Sequence, residues 1–334
     1  MKILHTSDWH LGKRLCDKPR LDEQAAVLDE IARIADDECV DVVIVAGDVF
    51  DTYNPSAEAE SLFYRAAVRL ASGRILVAVA GNHDDADRLC APHPLAAVNR
   101  IYLGDDFSAV RENDLTGGKG FLRYEKNGER LNLALLSYPS ETRERERFDS
   151  YTELVRAQFA RAAEGFGEGF NMAVAHLFMA GGEQNGTDER MLGAAVLVPT
   201  DVVPACDYCA LGHVHKPTAV SKARNIVYSG SILNYHFDET GHKSVAIIDT
   251  ADKSWRRVEL SAGKPLLKLS ASSAAEALAA LENAGDAFVR LLYDGAPLTA
   301  AETAALRAVP SFCDIQMTAH AESAPVVGRV HLEP

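Results

Sequence analysis

Short apolar runs without polar alternation recur along the chain, and each gives way to a glycine or a polar residue. The run VVIVA at Val42–Ala46 predicts a strand that is buried on both faces, as in a parallel sheet. Similar strands are predicted at residues 2–6, 74–80, 171–175 and 208–211. Apolar positions between Leu21 and Ala35 recur at helical spacing, which indicates a βαβ unit leading into Val42–Ala46.

The other elements follow from the same patterns. Residues 56–71 predict a helix with Ser56 as its N-cap, and residues 151–163 predict another. Residues 121–124 and 131–136 flank a turn and predict a hairpin, which makes the sheet mixed. The glycines at 117–120 predict a turn, because they lack the spacing of a phosphate-binding loop. Three further runs predict sequential antiparallel strands at the edge of a second layer: 226–229, 245–248 and 255–260.

The pattern changes near residues 262–265. Beyond this point the chain predicts a strand, an alanine-rich helix, a strand, a helix and a strand, at residues 266–269, 274–284, 288–293, 299–308 and 313–317. This order is typical of a small α+β module with its own core. We therefore expect a large α/β domain at residues 1–262 and a small domain at residues 265–334.

Composition narrows the class of protein. With 47% hydrophobic and 25% charged residues, the sequence is that of an ordinary globular protein. The absence of long apolar runs and of a signal-peptide pattern predicts a cytoplasmic protein without a membrane partner. Scattered cysteines, including the lone pair Cys206 and Cys209, predict reduced thiols. A net charge of −14 argues against nucleic acid as a partner unless bound cations offset it locally.

Polar residues that suit metal ligation stand at the ends of five predicted strands. They are Asp8, His10, Asp48, Asn82, His83, His176, His213 and His215. Gly47-Asp48 alone would indicate a turn, but ligand sites of α/β sheets lie at the carboxyl ends of strands, where all these residues fall. Their oxygen and nitrogen donors favour manganese, iron or zinc over calcium. The set exceeds the needs of one ion and predicts two ions about 3.5 to 4 Å apart, bridged by Asp48.

The histidines of the sequence divide into two groups. The i, i+2 spacing of His213 and His215 after a strand directs both rings to one side. His83 follows Asn82, so it is predicted to face the substrate, with Asp84 orienting or charging its ring. The histidines without strand-end partners are predicted to be structural or surface residues: His5, His93, His236, His242, His320 and His331.

Taken together, Asp8-x-His10, Gly47-Asp48, Gly81-Asn82-His83-Asp84, His176 and Gly212-His213-x-His215 resemble the calcineurin-like metallophosphoesterase family. The motifs HTSDWHLG, AGDVFD, AGNHD and ALGHVH are further similar to those of Mre-type DNA repair nucleases and their bacterial counterparts. The resemblance implies a four-layer α/β/β/α sandwich of two mixed sheets, followed by a small α+β DNA-capping domain.

The resemblance also implies roles for the ligands. One ion would bind Asp8, His10, Asp48 and His215, and the other would bind Asp48, Asn82, His176 and His213. The ions would be manganese, and His83 would be the catalytic histidine, assisted by Asp84. The implied activity is exonucleolytic on double-stranded DNA ends and endonucleolytic on single-stranded or hairpin DNA. The alternatives are a phosphatase or cyclic-nucleotide phosphodiesterase, and a metal-binding scaffold without catalysis.

Partners are expected at three places. DNA is predicted to contact a basic cluster after the first metal loop, with a solvated helix entry as the alternative: Lys13, Arg14, Lys18 and Arg20. Residues 56–71 and 94–98 match the region through which the resembling nucleases dimerise, although Leu62, Phe63 and Leu70 could serve the core alone. The resemblance also implies an SbcC-type ATPase partner. Because only residues 321–334 follow the module, the ATPase-binding helices are expected to be missing or replaced by another mode of binding.

Overall fold

The structure is a computed structural model, and it describes residues 1–140, 147–180, 196–239 and 241–317. The chain divides into two compact units, Met1–Gly263 and Lys264–Pro334. The predicted segment 321–334, with His320 and His331, lies outside the described residues.

Strands and helices alternate through most of the described chain. The strands are β1 (Lys2–Thr6), β2 (Val42–Ala46), β3 (Ile75–Val79), β4 (Ile101–Leu103), β5 (Leu115–Gly118), β6 (Phe121–Lys126), β7 (Glu129–Leu136), β8 (Phe170–His176), β9 (Tyr208–Gly212), β10 (Thr218–Ser221), β11 (Ile226–Tyr228), β12 (Ser244–Asp249), β13 (Ser254–Glu259), β14 (Leu266–Ala271), β15 (Phe288–Tyr293) and β16 (Phe312–Met317). The helices are α1 (Leu21–Asp37), α2 (Ala57–Leu70), α3 (Ala86–Cys90), α4 (His93–Ala96), α5 (Tyr151–Ala162), α6 (Ala274–Glu282) and α7 (Ala300–Ala308).

Two mixed sheets form the large unit. The first has the order β13-β12-β1-β2-β3-β4, in which β1 to β4 are parallel and β12 runs antiparallel to β1. The second has the order β10-β11-β9-β8-β7-β6-β5, with β7, β8, β9 and β11 parallel. The predicted hairpin is present as β6 and β7, and the predicted glycine turn joins β5 to β6.

The apolar runs explain why both faces of the first sheet are covered. Val42 and Ile44 of β2 face a core shared with Leu133 and Met172 of the second sheet. Val43 and Val45 face the opposite side, where helices α1 and α2 pack. Helix α5 covers the outer face of the second sheet. The layers are therefore α/β/β/α, as expected, and every residue of β2 is buried.

One part of the strand prediction is wrong. The runs 226–229, 245–248 and 255–260 do not form consecutive antiparallel strands of one sheet. Strand β11 lies in the second sheet and pairs parallel with β9, whereas β12 and β13 form an antiparallel pair at the edge of the first sheet. The chain crosses between sheets after β11, and apolar periodicity carries no information about which sheet a strand joins.

The small unit has the predicted order of elements. Strands β14, β15 and β16 form a parallel sheet, and Leu281 of α6 and Leu306 of α7 pack against it in one apolar core. Helix α7 begins with a capping box between Thr299 and Glu302, which satisfies backbone N–H groups at the helix start. Among the described helices of both units, none combines the length and apolar character needed to cross a bilayer.

Candidate metal centre

The predicted ligands meet at the carboxyl ends of five strands. Asp8, Asp48 and Asn82 follow β1, β2 and β3 of the first sheet. His176 ends β8, and His213 and His215 follow β9 of the second sheet. Parallel strands bring their carboxyl ends to one edge, and here the edges of the two sheets adjoin, with His176 Nε2 lying 3.3 Å from Asp48 Oδ2. Residues spread over two hundred positions of sequence thus share one site.

Unusual backbone conformations direct several of these side chains. The φ angles of Asp8, His10, Asp48 and His213 are 52°, 44°, 50° and 106°, all in the left-handed region. Each such non-glycine residue costs about 1–3 kcal/mol and persists only where the surroundings enforce it. The loops after β1 and β2 enforce it by bonding each other, since the Asp8 amide donates to the Gly47 carbonyl and the His10 amide to the Asp48 carbonyl, both at 3.0 Å.

The motif glycines allow the loops to approach closely. A Cβ atom on Gly81 would lie 2.0 Å from Asp48 Oδ1, and one on Gly47 would lie 2.4 Å from His176 Nδ1. A Cβ atom on Gly212 would lie 1.9 Å from the Ala46 carbonyl oxygen. The glycines are therefore needed because side chains and backbone of the opposite loops occupy the space that a larger residue would fill.

Asp48 reaches both halves of the centre. In the first half, His10 Nε2 lies 3.6 Å from Asp48 Oδ2 and 3.0 Å from His215 Nε2, and Asp8 completes the group. In the second half, Asn82 Oδ1 lies 2.9 Å from both His176 Nε2 and His213 Nδ1. The groups that can hold a cation include Asp8 with His10 and His215, and Asp8 with Asp48 and His176.

Hydrogen bonds behind the rings show that the donor set suits metal ions. His215 Nδ1 faces Glu239 Oε1 at 3.2 Å, and His10 Nδ1 faces Asp51 Oδ1 at 3.5 Å. Carboxylates only accept, so each Nδ1 carries its proton and each Nε2 presents a lone pair. Those two lone pairs face each other at 3.0 Å. Two acceptors at this distance repel each other unless a shared cation binds both.

The electrostatics of the second half agree with this. Although burial lowers the pKa of His176, the neighbouring Asp48 carboxylate outweighs it and raises that pKa to about 9. Burial raises the pKa of Asp48, but His176, His10 and His83 together hold it well below its usual range. In the metal-free protein a proton on His176 thus takes the place that a cation would fill between Asp48 and Asn82.

His83 and Asp84 are separated by the structure. The His83 amide donates to Asp48 Oδ1 at 2.9 Å, and its Nδ1 donates to the Asp51 carbonyl oxygen at 2.9 Å. Asp84 does not orient this ring; its carboxylate accepts from the amides of Val49, Phe50 and Gly81 at 2.8–3.0 Å. Burial and the nearby Asp48 raise the pKa of Asp84 to about 6. Asp84 therefore ties the loop after β2 to the loop after β3, which corrects the expected contact with His83.

The basic cluster is also divided. Arg20 is 2% exposed, and its Nε and Nη2 each lie 2.7 Å from a carboxylate oxygen of Glu23. It is therefore an internal residue and not a contact for DNA, because its donors are committed to protein groups. Lys13 Nζ lies 3.0 Å from Asp51 Oδ1, beside the metal centre, whereas Arg14 is exposed and Lys18 is half-buried.

The sequence interpretation missed the residues that support the centre from behind. Ser229 Oγ bonds Ser7 Oγ at 2.8 Å, and Gln24 Nε2 donates to the His10 carbonyl oxygen at 2.7 Å. Glu239 and Lys243 contact His215. These residues lie in a helix or in irregular segments with no pattern that distinguishes them. Asp51 alone carried a signal, as the last residue of the AGDVFD motif.

Residues 1–217 match the model of the family described as calcineurin-like phosphoesterase. The chain belongs to this family, whose members are hydrolases of phosphate esters. It is also 40% identical over 293 residues to the SbcD component of the SbcCD nuclease of Bacillus subtilis (strain 168), covering 82% of this chain and 73% of that protein. The chain is thus a homologue of SbcD nuclease subunits.

Among solved structures, TT1561 of Thermus thermophilus is 14% identical with a TM-score of 0.43, covering 77% of this chain and 98% of the other. The NAD nucleotidase NadN of Haemophilus influenzae is 13% identical with a TM-score of 0.39, covering 96% of this chain and 57% of the other.

Proposed function

We propose that this protein is a manganese-dependent DNA nuclease that hydrolyses phosphodiester bonds at a two-ion centre. The observation that carries the proposal is the pair of facing imidazole lone pairs beside Asp48, a carboxylate that reaches both halves of the centre. The 40% identity to an SbcD nuclease subunit supports DNA as the substrate. Both exonucleolytic and endonucleolytic cleavage are part of the proposal, by the same resemblance.

The residues of the centre divide into two ligand sets. Asp8, His10, Asp48 and His215 would hold one ion, and Asp48, Asn82, His176 and His213 would hold the other. When bound, such ions supply Lewis-acid polarisation of a phosphoryl group, which offsets the charge of the substrate in an acidic protein. Nitrogen and oxygen donors of this kind suit manganese, which is the ion we propose.

His83 would supply the proton in this reaction. Its Nδ1 donates to the Asp51 carbonyl oxygen, which can only accept, so Nε2 is the atom that faces outward for proton transfer. A protonated ring at this position can give its Nε2 proton to the leaving sugar oxygen. Asp84 would act indirectly, by holding the loops that carry Asp48 and His83.

Comparing two substrates tests the proposal. We expect the wild-type chain with Mn²⁺ to cleave a hairpin DNA faster than it hydrolyses a nitrophenyl phosphate ester. Hydrolysis of the ester with intact DNA would instead assign a phosphatase or phosphodiesterase. Bound manganese without either activity would leave only a metal-binding scaffold.

The proposed partners are an SbcC-type ATPase, DNA at the unit Lys264–Pro334, and a second copy of the chain. Leu62, Phe63 and Leu70 of the predicted dimer region are buried in the core of their own unit. Leu95 and Val98, however, are 77% and 82% exposed and leave apolar surface for a second copy. Light scattering at micromolar concentration should give a dimer mass, and a monomer mass would remove this part of the proposal.

A further inference from the structure

A buried ion pair lies behind His215, outside the residues predicted from the sequence. Glu239 lies between β11 and β12, and Lys243 directly precedes β12. Their side chains are 2% and 8% exposed, and Lys243 Nζ lies 2.6 Å from Glu239 Oε2. Desolvation largely offsets the attraction within such a pair, so apolar residues of similar volume are often as stabilising. Stability alone does not explain this pair.

Both members of the pair contact His215, at different points. Glu239 Oε1 accepts from the Nδ1 of the His215 ring at 3.2 Å. Lys243 Nζ donates to the His215 backbone carbonyl at 2.9 Å and to Ser231 Oγ at 2.8 Å. The ammonium group therefore has an acceptor for each of its three protons, and it fixes Glu239 and the His215 backbone relative to each other.

This arrangement determines which nitrogen of His215 serves the metal centre. Because the Glu239 carboxylate only accepts, Nδ1 carries the proton and the lone pair of Nε2 points toward His10 Nε2, 3.0 Å away. His176 receives equivalent support from a backbone group, since its Nδ1 lies 2.9 Å from the Ala46 carbonyl oxygen. In the second half of the centre the main chain gives this support, whereas His215 depends on two side chains.

We propose that Glu239 and Lys243 are positioning residues that clamp His215 at its ring and at its backbone, and so raise the affinity of the Asp8, His10 and His215 half for a divalent cation. The inference rests on the proposed metal centre. Loss of a carboxylate behind a ligating histidine typically weakens metal binding by about 10- to 100-fold. We expect a loss of this size for one of the two ions only.

Titration of the metal-free full chain with Mn²⁺, with free Mn²⁺ read by electron paramagnetic resonance, tests the clamp. Glu239→Gln should weaken one ion by about 10- to 100-fold and leave the other nearly unchanged. The double variant Glu239→Gln with Lys243→Met removes both charges, so no buried charge is left unpaired. It should unfold in urea near the wild-type midpoint and still bind one ion weakly. Unchanged affinities for both ions in both variants would overturn the proposal.

The ion pair between Lys253 and Asp207, with Nζ and Oδ1 2.7 Å apart, offers a matched control. Asp207 precedes β9 at the end opposite to His213, so Asp207→Asn with Lys253→Met should leave both manganese affinities unchanged. Should Glu239→Gln fail to fold, imidazole ¹⁵N NMR of the metal-free wild type decides, with His215→Asn to assign the signal. A proton on Nδ1 supports the clamp, and a proton on Nε2 refutes it. Neither readout uses DNA, so a failure of the nuclease proposal would be seen separately.

Discussion

His83→Gln should abolish most DNA cleavage while leaving the metal centre intact. The contact between His83 and Asp48 is made by the backbone amide of His83, so replacing the side chain keeps it. The lost interaction on the protein side is one ring bond to the Asp51 carbonyl, at 2.9 Å. General acid catalysis typically contributes about 10²- to 10⁴-fold, equal to roughly 3 to 5 kcal/mol of barrier. We therefore expect a turnover loss in this range, with unchanged manganese content and nearly unchanged DNA affinity.

A DNA substrate with a sulfur-linked leaving group distinguishes proton transfer from other roles of His83. Sulfur departs without needing a proton, so the variant should recover most of the lost rate on this substrate. An equal loss on both substrates would refute the general-acid role and leave His83 acting through charge or positioning. His93→Gln provides the matched control, since the His93 ring also makes a bond through Nδ1, to the amide of Leu103 at 3.2 Å, in another part of the unit.

Two further predictions concern pH and salt. Burial lowers the pKa of His5 from 6.5 to about 3, so the unfolded state binds its proton first. Stability of the metal-free chain should therefore be complete above pH 6.5 and fall as the pH drops toward 3, by up to about 1.4 kcal/mol per pH unit; urea unfolding of His5→Phe should show a shallower loss. Neutralising Lys13, Arg14 and Lys18 should flatten the salt dependence of DNA binding by about 2 to 3 in log–log slope, whereas Arg20→Met should not. An unchanged slope in the triple variant would mean that the cluster only solvates the entry to α1.

Local patterns predicted most of the elements because their physical causes are local. The unbroken run at Val42–Ala46 predicts a strand covered on both faces, and β2 is buried throughout. Ser56 predicts a helix start, and its side chain accepts from the amide of Ala59. The ligands could be recognised because β1, β2 and β3 are parallel, so residues directly after them must share an edge.

Other features depend on contacts between distant segments, which no local pattern records. Arg20 belongs to a basic run in the sequence, but its burial against Glu23 follows from the packing of the segment around Asn234. Asp84 follows His83 in sequence, yet its carboxylate turns to the amides after β2. The contact of Glu239 with His215 spans 24 positions through irregular chain. Such positions are determined by tertiary structure and not by propensity.

The manganese content of the purified chain, with Asp48→Ala beside it, tests the central claim most directly. Asp48 Oδ2 lies 3.6 Å from His10 Nε2 and 3.3 Å from His176 Nε2, so removing this carboxylate takes a ligand from both halves. Asp41→Ala, at the other end of β2, controls for loss of an aspartate from the same strand. Elemental analysis should find two ions per chain in the wild type and the control, and neither ion retained in Asp48→Ala. Two ions retained in Asp48→Ala would contradict a centre built on a shared carboxylate.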